Sequence, residues 1–259
     1  MIDFLEGHLL LINKPLRWTS FDAVKKIRNT LRSHLQIKKI KVGHAGTLDP
    51  LADGLLIVCT GKFTKRIHEF QNQEKEYTGK FILGATTPSF DLETEVDNEY
   101  PIDHISEKDL KEAATSLTGE ILQTPPIYSA LKHDGKRLYE HARKGEEVKI
   151  KERPVQISEF EITKVELPSV HFRIVCSKGT YIRSLAHSFG QQLNSGAYLG
   201  QLTRTRIGNL NLSQAIEIQE FIDFFSPHNN SNCRTYYHCK KKSGKNSKQS
   251  NVNVFKQIF

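Results

Sequence analysis

The order in which strand-like and helix-like patterns follow one another constrains the fold of this chain more than any other feature. Strand patterns cover roughly residues 8–14, 75–84, 153–166 and 170–177, and helical spacing begins near Ser20 and near Ser106. Strands and helices do not alternate strictly along the chain. We therefore predict an α+β fold in which helices flank a mixed, mainly antiparallel sheet.

Two helix starts can be predicted from capping residues. Ser20 suits the N-cap of one helix, and Ser106 with Asp109 resembles a capping box for a second helix that ends before Gly119. In the first helix, four apolar residues recur at helical spacing and are expected to face the core: Phe21, Val24, Ile27 and Leu31.

The composition changes abruptly after Phe225. Residues 226–259 contain seven Lys or Arg and no Asp or Glu, and they are polar and low in complexity. The whole chain has a formal net charge of +8, so subtracting these seven charges leaves only +1 for residues 1–225. We predict a folded domain over residues 1–225 and a basic, disordered tail over residues 226–259. Any nucleic-acid surface of the domain must then depend on local clusters of basic residues.

The membrane and secreted classes of protein are not favoured. The 259 residues contain no apolar run long enough to span a bilayer, and the N-terminus lacks the features of a secretory signal. Cys59 and Cys176 lie in apolar, strand-like runs and are expected to be buried free thiols of a reducing compartment. We therefore predict a cytoplasmic protein that does not associate with a membrane.

Motifs for cofactors and metals are not found. The sequence has no P-loop, GxGxxG, HExxH or GxSxG motif. A histidine and cysteine set in the tail fits no familiar zinc spacing: His228, Cys233, His238 and Cys239. We therefore expect neither a cofactor nor a metal site.

The segment GHAGTLDPLADG, residues 43–54, places several polar side chains in one glycine-rich loop. It follows a basic run, KKIK at 38–41, and precedes a buried strand. Polar residues on a loop that a rigid scaffold holds are typical of active sites, which makes Asp49 a candidate catalytic group. Asp-Pro in a glycine-rich stretch is also a common turn former, so a purely structural role for Asp49 remains the alternative.

Two further motifs are ambiguous when each is taken alone. In GTYIRSLA, Arg183 falls in or near the first turn of a helix, where a cation opposes the helix dipole and often has an anionic partner. The alternative is an arginine that extends to solvent. In KEYTGK, Tyr77 lies between Lys75 and Lys80, an order that suits a stacked nucleotide base but also suits ordinary strand packing.

The segment at about residues 123–147 is a long basic loop. Because it shows no evident core residues, it is expected to contact phosphate groups or simply to be solvated. Its basic residues are Lys132, Lys136, Arg137, Arg143 and Lys144.

Together these motifs resemble the TruB family of tRNA pseudouridine synthases, over about Gly7 to Phe225. The resemblance depends on six blocks in a fixed order: LLLINKPLRWTSFDAVKKIR, KVGHAGTLDPLADGLLIVCTGK, KEYTGKFILGATTPSFD, QTPPIYSALKHDGKRLYEHARKG, CSKGTYIRSLAHSFG and GAYLGQLTRTRIG. It implies the pseudouridine synthase fold. It also implies an isomerase that flips the T-loop uridine at position 55 of tRNA and converts it to pseudouridine without a cofactor.

The resemblance also implies roles for individual residues. Asp49 matches the catalytic aspartate, Arg183 the arginine that pairs with it, and Tyr77 the tyrosine that stacks on the flipped uracil. His44 matches the histidine that fills the gap left in the T-loop, and the segment at about 123–147 matches a thumb-like loop that orders on the RNA. The remaining residues expected to bind substrate or RNA are Lys14, Lys62, Lys132, Arg137, Arg143, Leu202 and Arg204.

The chain departs from the family pattern at three positions and at its end. Arg17 replaces a glycine of the first motif, while Asp53 and Ser188 replace the usual Thr and Asp. Many bacterial members end in a PUA-type RNA-binding domain, and the tail here is too short and too polar to be one. We therefore expect a stand-alone synthase that modifies tRNA without a guide RNA. We also expect it to be a monomer. The alternatives are a guide-RNA-dependent synthase and a non-catalytic RNA-binding protein or tRNA-folding chaperone on the same scaffold.

Overall fold

A computed structural model describes residues 3–129, 131–146 and 148–225, so the predicted tail and its histidines and cysteines lie outside the described residues. The helices of the described part are α1 (Ser20–Leu35), α2 (Ile67–Gln71), α3 (Glu107–Ser116), α4 (Leu138–Ala142), α5 (Ile182–Gln192) and α6 (Ile218–Phe224). Short 3₁₀ helices cover Gly61–Arg66 and Leu212–Gln214. Within this part of the chain, no helix is long and apolar enough to cross a membrane.

The described residues form fourteen strands. The first six are β1 (Leu9–Lys14), β2 (Val42–His44), β3 (Ala52–Thr60), β4 (Lys75–Leu83), β5 (Ala85–Thr86) and β6 (Asn98–Glu99). The others are β7 (Gly119–Gln123), β8 (Lys132–His133), β9 (Lys136–Arg137), β10 (Arg153–Glu166), β11 (Ser169–Cys176), β12 (Ala197–Ile207), β13 (Leu210–Asn211) and β14 (Ile216–Glu217).

The chain divides into two units. Among the described residues, the first unit comprises 3–71 and 205–225, and the second lies within 72–204. In the first unit β1 pairs antiparallel with β3, from Leu9 opposite Cys59 to Lys14 opposite Gly54, and it pairs in parallel with β14. In the second unit β4, β11, β10 and β7 pair antiparallel in that order. These pairings confirm the predicted α+β class with a mixed, mainly antiparallel sheet.

The core of the first unit lies where α1 and α6 cover β1 and β3. Val24, Ile27 and Leu31 are buried as predicted, within a cluster that includes Ile12, Leu56, Val58 and Phe221. Burial of each such side chain contributes about 1.5–3 kcal/mol relative to its exposure, so this face of α1 fixes the helix on the sheet.

The predicted start of α1 is wrong by one residue. The N-cap is Thr19, whose Oγ1 accepts from the backbone N–H of Asp22 at 3.0 Å, while the Asp22 carboxylate accepts from the N–H of Thr19 at 3.0 Å. The prediction that Phe21 faces the core is also wrong, because its side chain is 61 % exposed. Ser20 is buried instead, and it is the residue four positions before Val24.

The core of the second unit contains a cluster of aromatic rings. Phe81 of β4 lies with its ring centroid 4.3 Å from that of Phe172 on β11 and 5.5 Å from that of Phe189 on α5, and Phe160 of β10 completes the cluster. Such ring pairs contribute about 0.5–1.5 kcal/mol each beyond the area they bury. The predicted capping box of α3 is present, with Ser106 as the N-cap.

Both cysteines of the described part are buried free thiols, as predicted. Burial raises the pKa of Cys59 to about 11 and the pKa of Cys176 to about 12. Since the thiolate is the reactive form of cysteine, both side chains act as core residues at neutral pH.

Candidate active-site residues

Asp49 lies in the first unit, in the turn that joins β2 to β3. The turn is closed by the N–H of Ala52, which donates to the carbonyl of Asp49 at 3.1 Å. Gly46 and Gly54 have φ values of 117° and 100°, a region that suits glycine and lets the backbone bend sharply on either side of Asp49. The side chain of Asp49 is partly buried.

The backbone on both sides of Asp49 is held by the segment that begins α1. Leu48 donates its N–H to Ser20 Oγ at 2.8 Å, and Ser20 Oγ donates to the carbonyl of Leu48 at 3.1 Å. Pro50 accepts from the N–H of Arg17 at 2.7 Å. Asp49 therefore lies between two anchored residues, which restricts where its carboxylate can point.

Lys14 organises the turn that provides these anchors. Its side chain is fully buried, and Nζ donates to the carbonyl of Pro15 at 2.9 Å and to that of Trp18 at 2.7 Å. Arg17, at the tip of this turn, has a φ of 66°, in the left-handed region that a glycine adopts freely. Arg17 therefore holds a conformation that a glycine would adopt at this position, and the contacts of Lys14 favour a shaping role for it.

Three other candidates lie in the first unit. His44 ends β2, opposite Val58, and is partly buried. The Oδ1 atom of Asp53 is buried and has no hydrogen-bond partner among the described residues. Lys62 is exposed, and its Nζ lies 2.7 Å from a carboxylate oxygen of Glu6.

Arg183 lies in the second unit, as the second residue of α5, which confirms the prediction that it falls in the first helical turn. Only 4 % of the residue is exposed. Its Nε lies 3.6 Å from Asp91 Oδ2, and Nη1 donates to the carbonyls of Tyr128 at 3.0 Å and Ser89 at 3.4 Å. Asp91 is a buried carboxylate that the sequence interpretation missed, and it counters the unfavourable position of a cation at a helix start.

Tyr77 lies on β4 opposite Ile174 and is partly buried. Lys75 precedes it by two residues, so both side chains emerge on the same side of the strand. Lys75 is buried, and its Nζ donates to the carbonyl of Gln73. Burial is the main cause that lowers the pKa of Lys75 to about 8, and the nearby positive charge of Arg204 lowers it further.

Leu202 and Arg204 lie on β12 and are both buried, with only 1 % of Arg204 exposed. A buried guanidinium needs partners for its five N–H donors.

The segment at 123–147 forms the β8–β9 hairpin and the short helix α4. Its first residues are bound to the start of α5: Gln123 exchanges two hydrogen bonds with the backbone of Tyr181, at 2.8 and 3.1 Å, and Ser184 Oγ donates to the carbonyl of Thr124 at 2.7 Å. The expectation that the segment has no core residues is wrong, because Leu138 and His141 are buried.

Arg137 and Arg143 are exposed, as a phosphate-contacting role requires. Arg143 lies 3.9 Å from Glu93, and its guanidinium lies 5.4 Å from the ring centroid of Tyr139. Lys132 is the first residue of β8.

The structure therefore brings the sequence candidates together within each unit. In the first unit Asp49 lies in the turn between His44, the last residue of β2, and Asp53, the second residue of β3, with Lys14 and Ser20 supporting the turn. In the second unit Arg183 meets Asp91 and the start of the 123–147 segment. Among the described residues, no group of three or more His, Cys, Asp or Glu is arranged to hold a metal ion.

The fold is shared with chains of two solved Cbf5 complexes. A chain of a crystal structure of a Cbf5–Nop10–Gar1 complex matches with a TM-score of 0.65 and 24 % identity, over 98 % of this chain and 60 % of that chain. An archaeal box H/ACA sRNP Nop10–Cbf5 complex matches with a TM-score of 0.63 and 23 % identity, over 90 % of this chain and 58 % of that chain. This chain thus spans about 60 % of the length of those chains, and the likeness defines the fold class.

Sequence comparison identifies the family within that class. Residues 32–182 match the TruB family pseudouridylate synthase N-terminal domain. The "tRNA pseudouridine synthase B" of Flavobacterium johnsoniae is 57 % identical over 220 residues, which cover 85 % of this chain and 96 % of that protein. The protein of the same name from Chlorobaculum tepidum is 49 % identical over 219 residues, which cover 84 % and 90 %. The chain belongs to the TruB family.

Proposed function

We propose that this protein isomerises uridine to pseudouridine in tRNA, at the T-loop uridine of position 55, with Asp49 as the catalytic carboxylate. The observation that carries the proposal is the membership of the TruB family, whose relatives named tRNA pseudouridine synthase B match over most of their length. The anchored position of Asp49 between Leu48 and Pro50 supports its assignment, because catalytic groups need a fixed orientation.

The reaction breaks the N1–C1′ bond of the nucleoside, rotates the uracil and joins C5 to C1′. The proton on C5 is lost and N1 gains one, so the product is an isomer and no electron acceptor is needed. Asp49 either attacks the nucleoside covalently or takes a proton from the ribose. We propose that Arg183 pairs with Asp49 and keeps it ionised, an assignment that rests on the resemblance of the motifs.

The substrate uridine lies inside a stacked loop, so it must be extruded at a cost of a few kcal/mol. We propose that Tyr77 stacks on the flipped base, which offsets about 1–3 kcal/mol of that cost. His44 takes the vacated place in the T-loop stack, and the segment at 123–147 orders on the RNA. Phosphate or substrate contacts are assigned to Lys62, Lys132, Arg137, Arg143, Leu202 and Arg204, whereas the buried Lys14, first expected to bind substrate or RNA, shapes the turn that anchors Asp49.

The proposal is tested by incubating the purified protein with an unmodified tRNA transcript and mapping pseudouridine along it. Product at the T-loop uridine is expected, and its absence with folded protein would refute the function. Product at a different uridine would refute the assignment to position 55 and would still support the isomerase activity. The Asp49→Asn variant should lose turnover and keep tRNA affinity, whereas Asp103→Asn, at an exposed position of the second unit, should match the wild type.

The proposal includes a cytoplasmic monomer that acts without a guide RNA. Omitting every other RNA and protein from the assay tests guide independence, since a guide-dependent synthase would give no product. Sedimentation of the protein alone and with one equivalent of tRNA tests the monomer, and cell fractionation tests the compartment.

A further inference from the structure

A strongly basic cavity of about 680 Å³ lies in the first unit. We call this cavity the basic pocket. The other residues that line it are Leu5, Ile40, Gly61 and Thr64, and no carboxylate and no aromatic ring is part of the lining. Its seven cationic residues are Arg28, Arg32, Lys38, Lys39, Lys41, Lys62 and Lys65.

Three segments of the first unit supply these cations. Arg28 and Arg32 lie four residues apart and therefore share one face of α1. Lys38, Lys39 and Lys41 belong to the loop that follows α1, which is the basic run noted in the sequence. The last two, Lys62 and Lys65, belong to the 3₁₀ helix Gly61–Arg66.

The backbone beneath the basic pocket is closely held. Gly61 donates its N–H to the carbonyl of Lys41 at 2.9 Å. A Cβ at Gly61 would lie 2.1 Å from the carbonyl oxygen of Leu5, so only glycine fits there. Arg28 donates from Nη2 to the carbonyl of Val42 at 3.1 Å. The cationic residues therefore lie next to backbone that hydrogen bonds and close packing hold in place.

The charges of the basic pocket are poorly compensated within the protein. In the described part of the chain, Lys62 forms the one ion pair of this set, with Glu6, and both side chains are mostly exposed. Residues 1–225 carry a net charge of only +1, so seven cations around one cavity represent a strong local concentration of positive charge. Such a concentration attracts a polyanion.

We propose that the basic pocket binds the phosphate backbone of tRNA at nucleotides other than the one modified. The inference rests on the proposed function, which supplies the polyanion. Without an aromatic ring the cavity offers no platform for stacking a base, so the contacts are with phosphate groups and carry no sequence preference. The pocket thereby contributes affinity and orientation of the tRNA, while the residues around Asp49 act on the uridine.

The test neutralises part of the pocket and measures the salt dependence of tRNA affinity. The variant is Lys38→Gln, Lys39→Gln and Lys41→Gln combined, at three exposed positions. A matched control removes the same charge from exposed positions of the second unit: Lys108→Gln, Lys111→Gln and Lys164→Gln. The dissociation constant for an unmodified tRNA transcript is measured for both variants and the wild type over a range of KCl concentrations.

We expect the pocket variant to weaken tRNA binding by about tenfold at low salt and to reduce the slope of log affinity against log salt by about 2–3, since each lost phosphate contact removes about 0.7–0.9. The control should keep the wild-type slope. The rate of modification at saturating tRNA should stay unchanged in the pocket variant, because the pocket does not act on the uridine.

A pocket variant with the same affinity and slope as the wild type would overturn the inference, as would an equal loss in the control. The mapping of pseudouridine with the wild-type protein separates this outcome from failure of the proposed function. If product forms and the slope is unchanged, only the basic pocket assignment fails. If no product forms while the slope falls, the pocket binds RNA and the catalytic proposal fails.

Discussion

Ser20 offers a direct test of how the loop around Asp49 is held. Its hydroxyl is the partner of both backbone groups of Leu48, which is 3 % exposed. In Ser20→Ala, a buried N–H and a buried carbonyl lose that partner, at about 1–3 kcal/mol each. We therefore expect the free energy of unfolding to fall by about 2–6 kcal/mol.

The same substitution should also lower the catalytic rate. Without the hydrogen bonds of Ser20 to Leu48, the turn is free to shift Asp49 relative to the uridine. A displacement near 1 Å can cost about 100-fold in rate. We expect kcat for pseudouridine formation to fall by about 10- to 100-fold, with a smaller change in KM. Urea unfolding and single-turnover assays on a tRNA transcript measure the two effects.

The matched control for this prediction is Thr30→Ala, on the same helix. Thr30 Oγ1 donates to the carbonyl of Lys26 at 3.1 Å in a solvent-exposed hydrogen bond, so its loss should change stability by less than about 0.5 kcal/mol and leave the rate unchanged. If Ser20→Ala loses stability but keeps the wild-type kcat, the idea that Ser20 orients Asp49 is refuted.

Two further changes test the physical assignments. Arg17→Gly relieves a left-handed φ of 66° and should raise the free energy of unfolding by up to about 1 kcal/mol, measured by urea denaturation; a decrease would contradict it. Lys75 has a folded pKa of about 8, below its ordinary 10.5, so between these values the unfolded state binds more protons and wild-type stability should rise with pH, by at most about 3 kcal/mol. Lys75→Met should be more stable than the wild type at pH 7, and the difference should shrink as the pH rises towards 10.5.

Much of the fold could be predicted because its elements carry local signals. The capping box at Ser106 depends on neighbours within a few residues, and it is confirmed. Along β11 partly buried and buried residues alternate from Ser169 to Ile174, and Val175 breaks the alternation because it is buried as well. Phe21 shows the limit of periodicity: helical spacing admits either Ser20 or Phe21 beside Val24, and the hydrogen bonds of Ser20 with Leu48, 28 residues away, decide the choice.

The candidate site was less predictable where its support comes from distant or ordinary residues. Asp49, Tyr77 and Arg183 stand in motifs that a family resemblance can recognise. Asp91 ends the tripeptide SFD, which by itself indicates no function. Its contact with Arg183 joins residues 92 positions apart in the chain. The low pKa of Lys75 depends on burial, which strand alternation alone does not reveal.

The contacts of Arg183 show how distant residues support a side chain that its motif alone left ambiguous. A buried cation at the second position of a helix is unfavourable because the first turn already presents positive partial charge. Asp91 offsets that charge at Nε, and Asp91 is itself fixed by Ser89 Oγ at 2.6 Å, while backbone carbonyls hold Nη1. The second unit therefore sets the direction of the guanidinium with its own residues. The guanidinium is therefore already oriented before the proposed reaction begins. An ion pair that it forms with a carboxylate during that reaction does not have to include the entropic cost of ordering the arginine side chain.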